Sequence, residues 1–177
     1  MPSNAIPSPI APHSPLATIR PWLDPVVDER GHDPRSGYVE RYWLGVIGPT
    51  ATWIARRFAD EFDRSPDGFT IDLEHTASTM GLSFSRGAHS PFGKALHRCV
   101  MFGLALPIEG GFAMRRRFPT VARRHIDRLP PDVQAAHDEW ARLAIRSDRR
   151  EIEQRLVEAG IPPAAAARAG EIVALAT

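Results

Sequence analysis

The 177-residue chain has a single cysteine, Cys99, and a single lysine, Lys94. One cysteine excludes an internal disulfide and any zinc knuckle built on several cysteines, so the core must hold the fold by itself. One lysine leaves arginine as nearly all of the 22 basic residues. That skew fits a high-GC coding bias, although arginine's planar fork also suits phosphate contacts. No stretch approaches the roughly 18 to 20 unbroken apolar residues that a membrane-spanning helix needs. The N-terminus lacks the basic and apolar regions of a secretory signal, which points to a cytoplasmic protein. No HExxH, HxH, GxGxxG or Walker pattern occurs, and spacing brings no nucleophile, base and orienting group together. Neither a metal, nor a cofactor, nor an enzymatic reaction is therefore expected.

With 43% hydrophobic and 24% charged residues, the chain is of ordinary globular composition, enough for one packed domain and its tails. The net charge of +1 hides an uneven distribution. Residues 1–85 carry 7 basic and 11 acidic side chains, residues 86–128 carry 9 and 2, and residues 129–177 carry 6 and 8. A cationic quarter flanked by acidic segments is the asymmetry expected where one surface meets a polyanion.

Proline recurs through the first 25 residues among Ser, Ala and His. Residues 1–37 therefore read as a flexible arm and an extended lead-in, with Trp22 and Leu23 able to tack it down. The folded part is expected from Tyr38. Val39, Tyr42, Trp43 and Val46 mark a short amphipathic helix ending at Gly48-Pro49. Thr50 caps a second helix whose apolar face is Trp53, Ile54, Phe58 and Phe62. Phe69 to Asp72 alternates as a strand, and Asp72 caps a short helix over Leu73, Ala77 and Met80, stopped by Gly81. Ser90-Pro91 opens a third helix with Phe92, Leu96, Cys99 and Val100 inward. Two short strands about Glu109-Gly110-Gly111 form a hairpin, the second running into Arg115, Arg116 and Arg117. Pro130-Pro131 then divides a first helical segment from a second built on Val133, Ala136, His137, Trp140 and Leu143, and a final helical pair, 148–160 and 162–176, joined at Gly160 to Pro163, closes the chain as a small hairpin.

The order helix, strand, helix, loop, helix, hairpin resembles the winged helix-turn-helix superfamily over residues 38 to 120. The resemblance implies a mostly α structure with a small β-hairpin (α+β). Together with the proline-rich start and the C-terminal helical pattern, this divides the chain into a flexible arm over 1–37, a winged-helix domain over 38–128 and a helical extension over 129–177. The whole chain also resembles actinobacterial proteins, a likeness that implies no function. In the superfamily the third core helix enters the DNA major groove and the hairpin, or wing, contacts the backbone. Here Lys94, His97, Arg98 and Met101 share the outer face of that helix. Ser90 and the first backbone N–H groups suit a phosphate. Arg115, Arg116 and Arg117 sit on the wing, at least one facing outward. Arg123 and Arg124 extend the stripe, and Arg86 lies in a loop, Gly81 to His89, longer than the usual turn between the second and third helices.

The expected function is thus non-enzymatic binding of double-stranded DNA, as a regulator or a replication or partition accessory. The rival is a protein-interaction module on the same fold whose arginines match an acidic partner. Arg115 to Arg117 are equally readable as a soluble sheet edge, and the Lys94 face as ordinary solvated surface. Cys99 reads as a packing residue. Trp140, Leu143, Ile152, Leu156, Ile172, Val173 and Leu175 are more apolar than two short helices can hide. They either pad the core or pair with a second copy of the chain.

Overall fold

The computed structural model describes residues 15–175 and shows a mostly helical α+β chain with a small mixed sheet. It divides into two compact units between Ala122 and Arg123, rather than after residue 128. Of the expected arm, residues 1–14 lie outside the described residues.

The rest of that arm is structured. Leu16–Pro21 forms β1, with Ala17 and Ile19 buried and Leu16 and Arg20 exposed. Prolines bracket the strand without interrupting its ladder, and the Thr18-Ile19 run is β-branched, as a half-buried strand requires. Pro25–Arg30 is α1, where Asp24 caps the helix by accepting from the Val27 N–H at 3.2 Å and Pro25 takes the first turn.

A π-helical turn, Val39–Trp43, runs into α2, Leu44–Ile47, and buries Val39, Tyr42 and Trp43. The Trp43 indole N–H donates to the Pro119 carbonyl at 2.8 Å. Gly48, at φ +80°, turns the chain into α3, Pro49–Arg64. The buried stripe of α3 is Ala51, Ile54, Ala55, Phe58, Ala59 and Phe62. Trp53, expected on that stripe, is 60% exposed instead. One residue is about 100° of helix, and the stripe through Ile54 and Phe58 places position 53 outside it.

Phe69–Asp72 is β2, and the Asp72 carboxylate accepts from the His75 N–H at 2.8 Å to cap α4, Leu73–Thr79. A 3-10 turn, Gly87–His89, precedes α5, Pro91–Met101. Phe92, Leu96 and Cys99 of α5 are buried, each large apolar side chain contributing about 1.5–3 kcal/mol. Ala105–Ile108 and Gly111–Met114 are β3 and β4, an antiparallel hairpin turned at Gly110, φ +69°.

The sheet order is β2-β1-β4-β3. β1 runs antiparallel to β2, Ile19 opposite Phe69, and parallel to β4, Ile19 opposite Phe112. The segment expected to be an unstructured arm therefore occupies an interior position of the sheet. β4 stops at Met114, before the three arginines. The chain leaves the ladder there to make an antiparallel bridge between Phe118 and His32.

In the second unit Arg123–Ile126 is α6, Pro131–Glu158 is α7 and Pro163–Leu175 is α8. α7 is a single helix of 28 residues, where two segments were expected. Nothing between Pro131 and Gly160 is a glycine or proline that would break it. Gly160, at φ +86°, turns the chain into α8, and Gly170 lets α8 approach Glu153 closely.

Candidate nucleic-acid interface

The N-terminus of α5 is built on Ser90. Its hydroxyl accepts from the Gly93 N–H at 3.0 Å and donates to the Gly87 carbonyl at 2.5 Å, and the residue is 1% exposed. The hydroxyl is buried and shapes the helix start by accepting and donating locally, so this side chain does not present the phosphate contact expected of it.

Beyond the cap, the helical period separates two faces. Phe92, Leu96 and Cys99 point inward, while Lys94, His97, Arg98 and Met101 are exposed together. Among the described residues, Lys94, His97 and Arg98 make no ion pair with a carboxylate. The Arg98 guanidinium reaches back to Gly48, coming within 3.5 Å of where a side-chain carbon would stand there. Arg86 is exposed just before the 3-10 turn that leads into α5.

The arginines after β4 have other employment. Arg115 donates from Nη1 to Asp24 Oδ2 at 2.7 Å and from Nε to the Gly103 carbonyl at 2.9 Å. Its guanidinium lies 3.9 Å from the Trp22 ring centre, and its side chain is only 13% exposed. Arg116 pairs with Asp28 at 3.5 Å, and Arg117 donates to the Gly31 carbonyl at 2.9 Å. All three tie the chain after β4 to the segment from Trp22 to Gly31. The hairpin turn itself carries Glu109, so the arginines lie at the open end of the hairpin and its tip is acidic. The Arg115 guanidinium, seconded by the Val27 N–H, holds the Asp24 carboxyl below its ordinary value.

Arg123 and Arg124 belong to the second unit. Arg123 is held between Asp127, at 2.8 Å, and Asp138. Arg124 is exposed and donates to His125 Nε2 at 3.3 Å. Burial, helped by Arg124 and Arg128, lowers the His125 pKa. The expected cationic stripe thus resolves into an unpaired set on α5 and a paired set at Arg115, Arg116 and Arg123.

Burial pushes the Cys99 thiol up to about 12, which keeps it protonated and unreactive at neutral pH. Among the described residues no group of three or more His, Cys, Asp or Glu is placed to hold a metal ion, and no helix is long and apolar enough to cross a membrane.

A second feature went unread in the sequence. A groove of about 590 Å³ runs beside α3, lined by Trp53, Arg56, Arg57, Thr79, Met80 and Leu82 among others. The signal was present in Trp53-Ile54-Ala55-Arg56-Arg57, an aromatic followed at i+3 and i+4 by two arginines on one helix face. Assigning Trp53 to the core concealed it. Compared with known protein families, curated proteins and solved structures, the chain matches none of them.

Proposed function

We propose that the first unit is a winged-helix-type module that binds double-stranded DNA without chemistry, as a regulator or a replication or partition accessory. Lys94, His97 and Arg98 carry this reading: three exposed donors at i, i+3 and i+4 on α5, with no carboxylate partner among the described residues. The order α3, β2, α4, α5, β3, β4 supports it, with α5 as the helix that enters the groove and Arg86 adding a contact from the preceding loop. Donors of these types suit phosphates and guanine edges. The arginines after β4 contribute less, because phosphate would have to compete with Asp24 and Asp28 for them.

A mobility-shift titration with random duplex at two salt concentrations tests the proposal. Binding that weakens with salt, and is lost in Lys94→Glu with Arg98→Glu, supports it. Absence of binding at low salt, or indifference to either change, overturns it.

A second reading concerns the second unit. Leu143, Ile145 and Ile172 are 53%, 49% and 68% exposed, and α7 fully buries only His137. These apolar groups favour a protein partner, most simply a second copy of the chain. In the rival form of this reading, the chain binds protein and no DNA at all. Sedimentation of the intact chain beside Ile145→Glu and Ile172→Glu tests it: a dimer lost in the variants supports self-association, and a monomer throughout rejects it.

A further inference from the structure

Trp53, at 60%, is the one exposed Phe, Tyr or Trp side chain among the described residues, and it does not sit alone. The Arg56 guanidinium lies 5.0 Å from its ring centre. Arg57 donates to the Thr79 hydroxyl at 2.5 Å, and that hydroxyl donates onward to the Thr76 carbonyl at 2.8 Å. Thr79 thereby both accepts and donates, and fixes where Arg57 points. Arg35, also on the groove, is taken up by Asp33, Asp60 and Asp63 at 2.7, 2.8 and 2.6 Å. Asp60, the acidic residue lining the groove, is thus engaged by a different cation. Among the described residues Arg56 and Arg57 make no ion pair. Two guanidiniums without counter-ions border an indole, with Met80 and Leu82 completing an apolar wall.

We propose that this groove binds a small planar aromatic anion. The ring stacks on Trp53 and packs against Met80 and Leu82, and its carboxylate or phosphate accepts from Arg57 and Arg56. The volume is that of an ordinary small-ligand site, the indole supplies a stacking surface, and the arginine forks supply charge-assisted donors. Holding Arg57 in place beforehand reduces the ordering cost of binding. The site is independent of the DNA reading, since it uses α3 and the end of α4 rather than the outer face of α5.

The test follows the indole N–H resonances of the four tryptophans in the intact chain during titration with naphthoate and, separately, adenosine monophosphate, with no DNA present. Acetate and inorganic phosphate serve as ringless controls, and adenosine as the uncharged one. The Trp53 signal, identified by its loss in Trp53→Phe, should move saturably with at least one aromatic anion. All three controls should bind about tenfold more weakly or worse, and Arg57→Gln should weaken the aromatic anion by about tenfold. A response to naphthoate alone assigns an aromatic carboxylate, and one to the nucleotide alone assigns a nucleoside phosphate. The Trp43 signal, whose N–H is held by Pro119 in the core, should stay in place and report an intact fold in each variant. No saturable shift at Trp53 with either aromatic anion, an equal shift with acetate or phosphate, or full affinity in Arg57→Gln overturns the proposal.

Discussion

Arg115 Nη1 meets Asp24 Oδ2 at 2.7 Å across 91 residues of sequence, with the Trp22 ring stacked 3.9 Å from the same guanidinium. A charge that sequence alone offers to DNA is here a clamp closing the chain after β4 onto the cap of α1. Arg115→Ala is expected to lower the urea midpoint and to speed amide exchange in residues 22–31, while Arg115→Lys, which lacks the planar fork, recovers only part of the loss. The Asp24 carboxyl is depressed in the folded state, so its contribution is present above the ordinary value of 3.8 and is lost as pH falls through the folded value. The stability gap between wild type and Asp24→Asn should therefore close on acidification. A gap independent of pH would reject the clamp.

With the paired arginines set aside, the proposed DNA binding would neutralise about three phosphates through Arg86, Lys94 and Arg98, so the expected log-log salt slope is near -3 rather than the -4 to -5 that about five would give. Lys94→Ala and Arg98→Ala should each reduce that slope by about 0.9. Fluorescence anisotropy across a salt series measures it. A slope steeper than -4 would mean that the arginines after β4 release their carboxylates to reach the DNA.

Ser90→Ala separates a cap from a phosphate contact. Loss of the acceptor for the Gly93 N–H should cost about 1 kcal/mol in urea unfolding. The salt slope of DNA binding should be unchanged, because the hydroxyl is buried.

Cys99 and Tyr38 should make the fold sensitive to alkali. Burial raises both groups to about 12, from 9.0 and 10.0. The neutral forms are the ones that the core accepts, so the stability they support is complete below the unfolded values and is lost as pH rises through the folded ones. Urea midpoints measured from neutral pH upward should begin to fall near pH 9, the unfolded thiol value, and Cys99→Ala should delay the fall. The native thiol should also resist disulfide exchange reagents at neutral pH. Rapid labelling of the folded chain would contradict its burial.

What was legible in the sequence was local. Asp72 before α4, Ser90-Pro91 before α5 and the tandem glycines between β3 and β4 all act within a few residues of themselves, and the structure has each of those elements. The outward set Lys94, His97 and Arg98 followed from helical period alone. β1 was missed because its neighbours lie far along the chain, and a proline-rich composition averaged over 25 residues hid the short Leu16 to Arg20 run. The partners of Arg115 to Arg117 were missed for the same reason: Asp24, Asp28 and Gly31 reach them only through tertiary structure. Trp53 departs from expectation because its angular position on α3, outside the stripe through Ile54 and Phe58, overrides its apolarity.

The interior place of β1 also bears on synthesis. β1 leaves the ribosome before the partners on either side of it, which emerge only after α3 and after α5. β1 must wait for nearly the whole first unit before its ladder to β4 can close, which is the slow, high-contact-order kind of folding. Any shortening that reaches Leu16 would take out an inner stave of the sheet, leaving β2 and β4 with no common neighbour.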